Sequence, residues 1–457
     1  MRRIGIILLL IIVGVAAGTT ATTGQQVQDR APESCIDAFT AQQWESAQLT
    51  GEIRLAEDDT VQITYDSHGE LTPFEVEPPT AATVVNTTGF SKTADGTYTF
   101  DGRQATPTLT YRVQTGLSTN ESYASGGSWL HTPLPSYIQT RVHHTTPEGG
   151  HVGTQFAYLG NYSAVTLQDG CHEVTGIIAD ESRSAVDSEQ IERQLRYAMT
   201  EYDVGHRYSK TTVFVTPGKV DPTSSGEAHK ADAWASSRHG PSNTTHIVLH
   251  EYLHTRHSFG DASLGEMSWF NEGTTEYMSL RLMLDAGTLS PREYNKRLEN
   301  TAGGRAVLSN RSTWTDHRVP YQRGTLFNAH LDHRIRNATD GESTLEDVVA
   351  VANAKQGSQF LPSERAVFDI VANVSNTDTA MWANSTVDSS RAFGTSSIQQ
   401  KTTPEWEYRL SIARENLSEQ PLLGVFFGLM LGVLLMTIPE EYGNESEADS
   451  PEKSENS

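Results

Sequence analysis

Three residues near the middle of the sequence have the types and spacing of a zinc-hydrolase site. His250 and His254 are four positions apart with Glu251 between them, which is the HExxH pattern. Residues i and i+4 share one face of an α-helix, so both imidazoles can reach one metal ion. Glu251 can then serve as general base toward the attacking water. The alternative is a pair of buried structural histidines beside a surface glutamate.

Catalytic zinc needs a third protein ligand and an open position for water. Glu272 is the candidate, because it lies 18 residues after His254 and opens a second apolar-periodic segment, predicted as a helix over 269–285. Two packed helices would then supply a His₂Glu ligand set. His257 is left out, because a fourth protein ligand would close the open position. We expect one Zn²⁺ per chain, although cobalt or manganese could occupy such a set in vitro.

Longer motifs surround these residues. They are WFNEG at 269–273, Tyr277, LSP at 289–291, Tyr294, VPYQRG at 319–324 and STLEDV at 343–348. Over about residues 245–349 the sequence therefore resembles the glycyl aminopeptidase family and, more distantly, the aminopeptidase N family, both of which are gluzincins. The resemblance implies a thermolysin-like zinc peptidase domain with a helical C-terminal part. It also implies that the Tyr321 hydroxyl stabilises the oxyanion, whereas the residues alone would equally fit a core tyrosine.

Two more carboxylates are candidates for supporting roles. Glu276 lies four residues after Glu272, so it faces the same side and could accept a hydrogen bond from a zinc-binding imidazole. A plain surface carboxylate is the alternative. In the related families the segment before the zinc helix follows the active-site edge strand and often binds the substrate's amino terminus. Glu227 is the nearest counterpart, but a Gly-x-Met-x-Asn motif is missing, and a solvated loop carboxylate is the simpler interpretation.

Composition and charge limit the class of protein. The chain has 457 residues, enough for two or three domains, and 57 acidic against 34 basic residues give a formal charge of −23. Nucleic-acid binding needs a basic surface, so this class is excluded. The two cysteines, Cys35 and Cys171, fit no local metal or redox motif. In an exported protein they would form one disulfide, the alternative being two buried thiols.

The predicted order of segments is that of an exported, anchored α+β multidomain protein. We predict a signal peptide (1–17), a linker (18–47), a β-rich, sandwich-like domain (48–178), the zinc metallopeptidase domain (179–374), a Ser/Thr/Asn-rich linker (375–420), a transmembrane helix (421–438) and an acidic disordered tail (439–457). An uncleaved N-terminal anchor and a buried C-terminal helix are the alternatives. Glycyl aminopeptidases often carry a PDZ domain, for which this second linker is too short.

Three histidines in the β-rich region are predicted to lie on the surface. His143 and His144 are adjacent, and neighbouring residues of a strand face opposite sides, so they make a poor chelate. His151 lies nearby in the sequence. We therefore expect no metal site in this domain.

The predicted function is a membrane-anchored, extracellular zinc peptidase, with the catalytic domain outside the cell. An aminopeptidase is favoured by the resemblance, and an endopeptidase is left open because the amino-terminus motif is missing. N-x-S/T glycosylation sequons fit an exported glycoprotein; they lie at Asn86, Asn120, Asn161, Asn243, Asn310, Asn337, Asn373, Asn384 and Asn416. The alternative is a non-catalytic envelope glycoprotein on a peptidase scaffold. The oligomeric state is not predicted.

Overall fold

The computed structural model describes most of the chain between Cys35 and Ile398. The described residues are 35–36, 49–57, 59–67, 73–80, 82–113, 123–138, 140–147, 149–217, 225–258, 265, 267–300, 305–354, 363–391, 393–395 and 398. The predicted signal peptide, transmembrane segment and acidic tail lie outside them, as does nearly all of the N-terminal linker. Within these ranges, no helix is both long and apolar enough to cross a membrane.

The first part of the described chain consists of short strands, as predicted. These are β1 (Leu49–Leu55), β2 (Thr60–Ser67), β3 (Phe74–Glu77), β4 (Ala82–Thr88), β5 (Phe90–Lys92), β6 (Tyr98–Phe100), β7 (Thr108–Val113), β8 (Ala124–Ser125), β9 (Leu130–Pro133), β10 (Ser136–Ile138), β11 (Val142–Thr145), β12 (Gly150–Val152) and β13 (Phe156–Leu159). They form sheets with the strand orders β11-β1-β2-β7-β4, β10-β3-β6-β5 and β12-β13-β9-β8.

The first two of these sheets share one hydrophobic core. Burial alternates along the strands, as in β1, where Leu49 and Ile53 are buried and Glu52 between them is exposed. Such alternation is expected where one face of a strand meets the core and the other meets water. Tyr65 from β2 and Phe100 from β6 belong to the same core cluster. The predicted β-rich N-terminal domain is confirmed.

A fourth sheet supports the second half of the molecule. Its strands are β14 (Tyr162–Asp169), β15 (His172–Ala179), β16 (Lys210–Thr216), β17 (Gly226–His229) and β18 (Asp232–Ser236), in the order β14-β15-β16-β18-β17. The three inner strands are parallel, and β14 and β17 are antiparallel edges. β14 and β15 lie within the segment predicted as the β-rich domain (48–178), and they join this sheet because β15 pairs with β16.

One helix lies between β15 and β16 in the chain, and the others come after the last strand of this sheet. The helices are α1 (Ser188–Glu201), α2 (Pro241–Arg256), α3 (Ser268–Asp285), α4 (Pro291–Asn300), α5 (Thr325–Ala338), α6 (Leu345–Ala354), α7 (Glu364–Val374) and α8 (Thr377–Val387). A π-helical turn, Pro320–Gly324, leads directly into α5. The helical C-terminal part predicted from the sequence is therefore present.

The predicted linker at 375–420 is wrong in its first part, where helix α8 spans Thr377–Val387. The side chain of Asn376 accepts a hydrogen bond from Thr379 N at 2.8 Å and caps the helix N-terminus. Ala380, Ala383 and Val387 are buried in the main core. Their spacing places them on one face of a helix, so small residues bury this segment although its composition is typical of a linker.

A disulfide bond joins Cys35 to Cys171. Cys171 lies in the turn between β14 and β15, and Ile36 forms a parallel β-bridge with Tyr208 just before β16. The disulfide and the bridge together attach the start of the described chain to the fourth sheet.

The surface prediction for the β-rich histidines is wrong for His144. His143 is exposed, but His144 is only 9% exposed and its Nε2 lies 2.9 Å from the Tyr137 hydroxyl. Strand β11 pairs with β1, and a Cβ atom at Gly51 would lie 3.0 Å from the His144 ring. The missing side chain of Gly51 therefore leaves space for the imidazole. His151 is half-buried, with its ring centroid 5.9 Å from that of Phe214.

Candidate active site

Helix α2 carries the HExxH residues and is held on several sides. It begins at Pro241, a residue suited to the first helical position because the missing N–H has no partner there in any case. Its second half is buried almost all round, which is expected for a central helix. The helix contacts β17 and β18 of the sheet and helices α1 and α3. The orientation of its side chains is therefore fixed by packing.

The two HExxH histidines meet Glu272 from α3. His254 Nε2 lies 3.0 Å from His250 Nε2 and 3.0 Å from Glu272 Oε2. His250 Nε2 lies 3.4 Å from the same carboxylate oxygen. His250 and Glu272 are buried, and His254 is partly exposed. Two helices thus bring three ligand atoms to one point.

This donor set fits a zinc ion in chemistry and spacing. Tetrahedral zinc with bonds of about 2.0–2.2 Å holds its ligand atoms about 3.3 Å apart, close to the separations of 3.0–3.4 Å found here. Two imidazoles and one carboxylate also leave one coordination position for water. In the part of the chain that the structure describes, no other group of three His, Cys, Asp or Glu side chains converges in this way.

The two carboxylates next to His250 determine the charge of the ligand cluster. Burial alone would raise the pKa of Glu272, but the imidazoles of His254 and His250 outweigh it and hold the pKa below its usual range. Burial lowers the pKa of His250, and hydrogen bonds to Glu272 and Glu276 reverse this and raise it to about 10. Glu272 therefore stays ionised, and the pair of carboxylates attracts positive charge.

Glu251 lies between the ligand histidines and the edge strand β17. A Cβ atom at Gly226 would lie 2.7 Å from Glu251 Oε1 and 2.7 Å from the backbone oxygen of Trp234, so the glycine leaves space for the carboxylate. Burial raises the pKa of Glu251 to about 8, opposed by His250 and reinforced by Glu272 and Glu227. A raised pKa makes a carboxylate a better proton acceptor.

Tyr321 reaches the same point from the π-helical turn. Its ring centroid lies 5.7 Å from that of His250, and the residue is 38% exposed. Burial of the hydroxyl and the negative charges of Glu272 and Glu251 raise its pKa well above the usual range. The hydroxyl therefore stays protonated and can donate a hydrogen bond. Single π-helical turns occur frequently at functional sites.

Glu276 supports a ligand histidine and is not a plain surface carboxylate. Its Oε2 lies 2.9 Å from His250 Nδ1, and its Oε1 lies 3.4 Å from His246 Nε2. With Nδ1 donating to Glu276, His250 can bind a metal ion through the lone pair of Nε2 once that nitrogen has released its proton. Sequence reasoning missed His246, although it lies four residues before His250 on the same face of α2.

A second set of contacts supports the other ligand histidine. Thr275 Oγ1 lies 3.5 Å from His254 Nδ1 and 3.2 Å from His257 Nδ1. The opposite nitrogen of His257 lies 2.8 Å from the Tyr202 hydroxyl. His257 is thus engaged by hydroxyl groups and is absent from the ligand cluster. Thr275 and Tyr202 could not be assigned from the sequence, because neither type has a distinctive spacing here.

Glu227 lies on a strand rather than in a loop. It belongs to β17, where it pairs with Trp234 of β18, and its side chain is half-buried. Its negative charge contributes to the raised pKa of Glu251, so the two carboxylates interact. The solvated-loop interpretation is therefore wrong, and Glu227 lies on the edge strand beside the site.

Comparison with solved structures identifies the fold. An aminopeptidase N family protein from Idiomarina loihiensis matches with a TM-score of 0.56 over 78% of this chain and 80% of that chain, at 12% sequence identity. This chain has an aminopeptidase N-like fold. An M1 zinc metallopeptidase from Deinococcus radiodurans matches with a TM-score of 0.47 over 78% of this chain and 95% of that chain, at 14% identity.

The Legionella pneumophila aminopeptidase A, solved in complex with aspartic acid, matches with a TM-score of 0.43 over 75% of this chain and 49% of that chain, at 11% identity. No protein-family model and no curated protein matches the sequence. In this aminopeptidase N-like fold, His250, Glu251 and His254 come from one helix, Glu272 from the next, and Tyr321 from a turn 49 residues further along the chain. Distant parts of the sequence therefore build one site.

Proposed function

We propose that this protein is a zinc-dependent peptidase, and that it acts as an aminopeptidase. The observation that carries the proposal is the convergence of His250, His254 and Glu272 ligand atoms at separations of 3.0–3.4 Å. Glu251 and Tyr321 flank this point, which adds a proton acceptor and a hydroxyl donor. The fold shared with an aminopeptidase N family protein supports the same reaction class.

Each residue has a role in amide hydrolysis. A bound Zn²⁺ would act as Lewis acid and lower the pKa of a water to near 7. Glu251 accepts the proton of the attacking water and delivers it to the leaving amine. Tyr321 donates a hydrogen bond to the oxyanion that develops on the scissile carbonyl. Glu276 holds the His250 ring in the orientation that a metal ligand needs.

The aminopeptidase assignment depends on Glu227. A substrate cleaved after its first residue carries a protonated amine within a few ångströms of the scissile carbonyl, so an aminopeptidase needs a carboxylate near its general base. Glu227 is the candidate for this carboxylate, because it follows Gly226 on β17, and Gly226 borders the Glu251 side chain. An ion pair with Glu227 would position the substrate's first residue over the metal site.

The test of the peptidase function compares the full chain with its Glu251→Gln variant. We expect one zinc ion in both proteins, and chelator-sensitive cleavage of amino-acid amides and short peptides by the parent only. Loss of a general base typically costs ~10²–10⁴ in rate. A folded parent with neither zinc nor cleavage would contradict the proposal and favour the non-catalytic envelope glycoprotein. If the parent bound zinc but cleaved none of these substrates, the metal site would be supported and the choice of substrate would be wrong.

A second test separates aminopeptidase from endopeptidase. The parent and its Glu227→Gln variant are given one peptide with a free amino terminus and the same peptide N-acetylated. We expect the parent to prefer the free peptide and Glu227→Gln to lose most of this preference, mainly through a higher KM. Equal cleavage of both peptides by the parent would favour an endopeptidase.

We also propose that the protein is exported and anchored to the cell membrane by residues 421–438, with the site outside the cell. The sequence pattern of residues 1–17 and the disulfide between Cys35 and Cys171 support export. Protease treatment of intact cells tests this. We expect the protein to be found in the membrane fraction and to be degraded from outside; full protection would place the site inside.

A further inference from the structure

Two glycines form the contact between the helix that carries Glu272 and the turn that carries Tyr321. A Cβ atom at Gly273 would lie 2.5 Å from the carbonyl carbon of Gly324, and one at Gly324 would lie 2.7 Å from Trp269 O. Both obstacles are backbone atoms, which cannot rotate away. Neither glycine has a positive φ. The close approach of α3 and the π-helical turn is therefore what requires glycine at both positions.

A buried amide bridges the same two backbones. Asn328 is fully buried, and its Nδ2 donates to Gly324 O at 2.9 Å and to Trp269 O at 3.4 Å. The hydroxyl of Thr325 donates to Tyr321 O at 2.5 Å, which ties the start of α5 to the turn. The separation of α3 and the turn is thus fixed by contact and by hydrogen bonds.

The contact lies next to the proposed catalytic groups on both sides. Gly273 directly follows Glu272, and Gly324 lies three residues after Tyr321. We propose that the Gly273–Gly324 contact is a spacer that positions the Tyr321 hydroxyl over the metal site. The inference rests on the proposed peptidase function and adds two positioning residues, Gly273 and Gly324, which touch no substrate.

The size of the expected effect follows from the distances. Carbon atoms in contact prefer separations of about 3.5–4.0 Å, so a methyl group at Gly324 must move the turn away from α3 by on the order of 1 Å. A misplacement of about 1 Å can cost ~10²-fold in rate. The ligands His250, His254 and Glu272 all belong to α2 and α3, so zinc binding should be unchanged.

The experiment is a double-mutant cycle on the full chain with Gly324→Ala and Tyr321→Phe. Alone, Gly324→Ala should lower kcat by ~10²-fold with KM little changed and one zinc retained. In the Tyr321→Phe background the same substitution should cost less than about threefold, because the hydroxyl it displaces is already gone. An equal loss of kcat in both backgrounds, or no loss in either, would contradict the proposal that the glycine contact positions Tyr321.

Two further variants guard against a general folding defect. Gly176→Ala is the matched control, because the nearest atom to its added Cβ is 3.8 Å away; we expect parental kcat. If Gly324→Ala does not fold, Asn328→Leu removes the bridge without adding an atom to the glycine contact. It should lower kcat by about tenfold, again only when Tyr321 is present. Additive losses with Asn328→Leu would overturn the proposal.

A structural measurement keeps this inference separate from the peptidase function. If the parent cleaves no peptide, the proposed function fails. The spacer proposal still predicts that the Tyr321 ring moves relative to His250 when the glycine contact is changed. In a crystal structure of Gly324→Ala, or of Asn328→Leu if needed, the ring centroids of Tyr321 and His250 should be farther apart than the present 5.7 Å. An unchanged separation would refute the spacer whatever the enzyme does.

Discussion

Two regions of the molecule bury histidines, and they use them differently. Where α2 meets α3, burial lowers the pKa of His250, but the carboxylates of Glu272 and Glu276 outweigh it and raise the pKa to about 10. In the β-rich region, His144 is also buried, but its partner is the Tyr137 hydroxyl, and burial lowers its pKa to about 4. Burial is thus common to both, and the charge of the partners separates them.

The difference shows what identifies a metal site among buried histidines. A neutral imidazole whose partner is an uncharged hydroxyl is an ordinary core residue, as His144 is with Tyr137. A site needs a second ligand nitrogen and a carboxylate at the same point, which His254 and Glu272 supply. The following variants change these partners, and their outcomes test whether the distinction holds.

The largest effect is expected from making the site neutral with Glu272→Gln. An amide cannot replace the charge that balances a divalent ion, so the site would come closer to the His144 arrangement. We expect zinc affinity to fall by more than the ~10–100-fold typical of supporting residues, and peptidase activity to fall to background. Competition with a zinc-binding dye measures the affinity. Glu342→Gln, at an exposed position, is the control and should keep the parental zinc affinity. If Glu272→Gln also kept the parental affinity, Glu272 would not be a zinc ligand.

A smaller loss is expected from Glu276→Gln, which keeps all three ligands. The amide oxygen can still accept from His250 Nδ1, but the negative charge that makes this imidazole a better ligand is gone. Outer carboxylates of this kind typically contribute ~10–100-fold to metal affinity or activity. The same dye competition and kcat/KM are measured. If zinc affinity and kcat/KM both stayed at the parental values, Glu276 would have no supporting role at the metal site.

The parts of the site predicted from the sequence are those with local periodicity. HExxH gave His250, Glu251 and His254, because helical spacing alone brings i and i+4 together. Glu272 followed from a second periodic segment. Tyr321 depended on the resemblance to gluzincins, since no local pattern links a tyrosine to a histidine 71 residues earlier in the sequence.

The missed features depend on contacts between distant segments. Strand β17 lies in a Gly/Ser/Pro-rich stretch and contains no β-branched residue, so its sequence GEAH gives no strand signal. Pairing with β18 decides its conformation and brings Glu227 to the site. Similarly, His144 is buried because β11 pairs with β1 beside Gly51. Neither pairing can be read from a window of neighbouring residues.

In the neutral region, Tyr137→Phe should affect stability and leave the metal site unchanged. The Tyr137 hydroxyl lies 3.1 Å from that of Tyr65 and 2.9 Å from His144 Nε2. Its removal leaves buried polar atoms without this partner, which costs about 1–3 kcal/mol in free energy of unfolding. Urea denaturation measures this, and Tyr98→Phe, at a buried tyrosine of the same core, serves for comparison. A change in zinc affinity would mean that the two regions are coupled.

The smallest expected effect is a pH dependence that belongs to His144. Its pKa is about 4 in the folded protein, below the ordinary value of 6.5, so the unfolded chain binds the proton more tightly. Above pH 6.5 this histidine does not affect the free energy of unfolding, because it is neutral in both states. As the pH falls toward 4, the unfolded chain takes up the proton first, and the free energy of unfolding falls by about 1 kcal/mol between pH 7 and 5.5. His144→Gln should lose this part of the acid sensitivity, and the exposed neighbour variant His143→Gln should keep it. Urea denaturation at both pH values compares the three proteins. Equal acid sensitivity in all three would show that folding does not lower the pKa of His144.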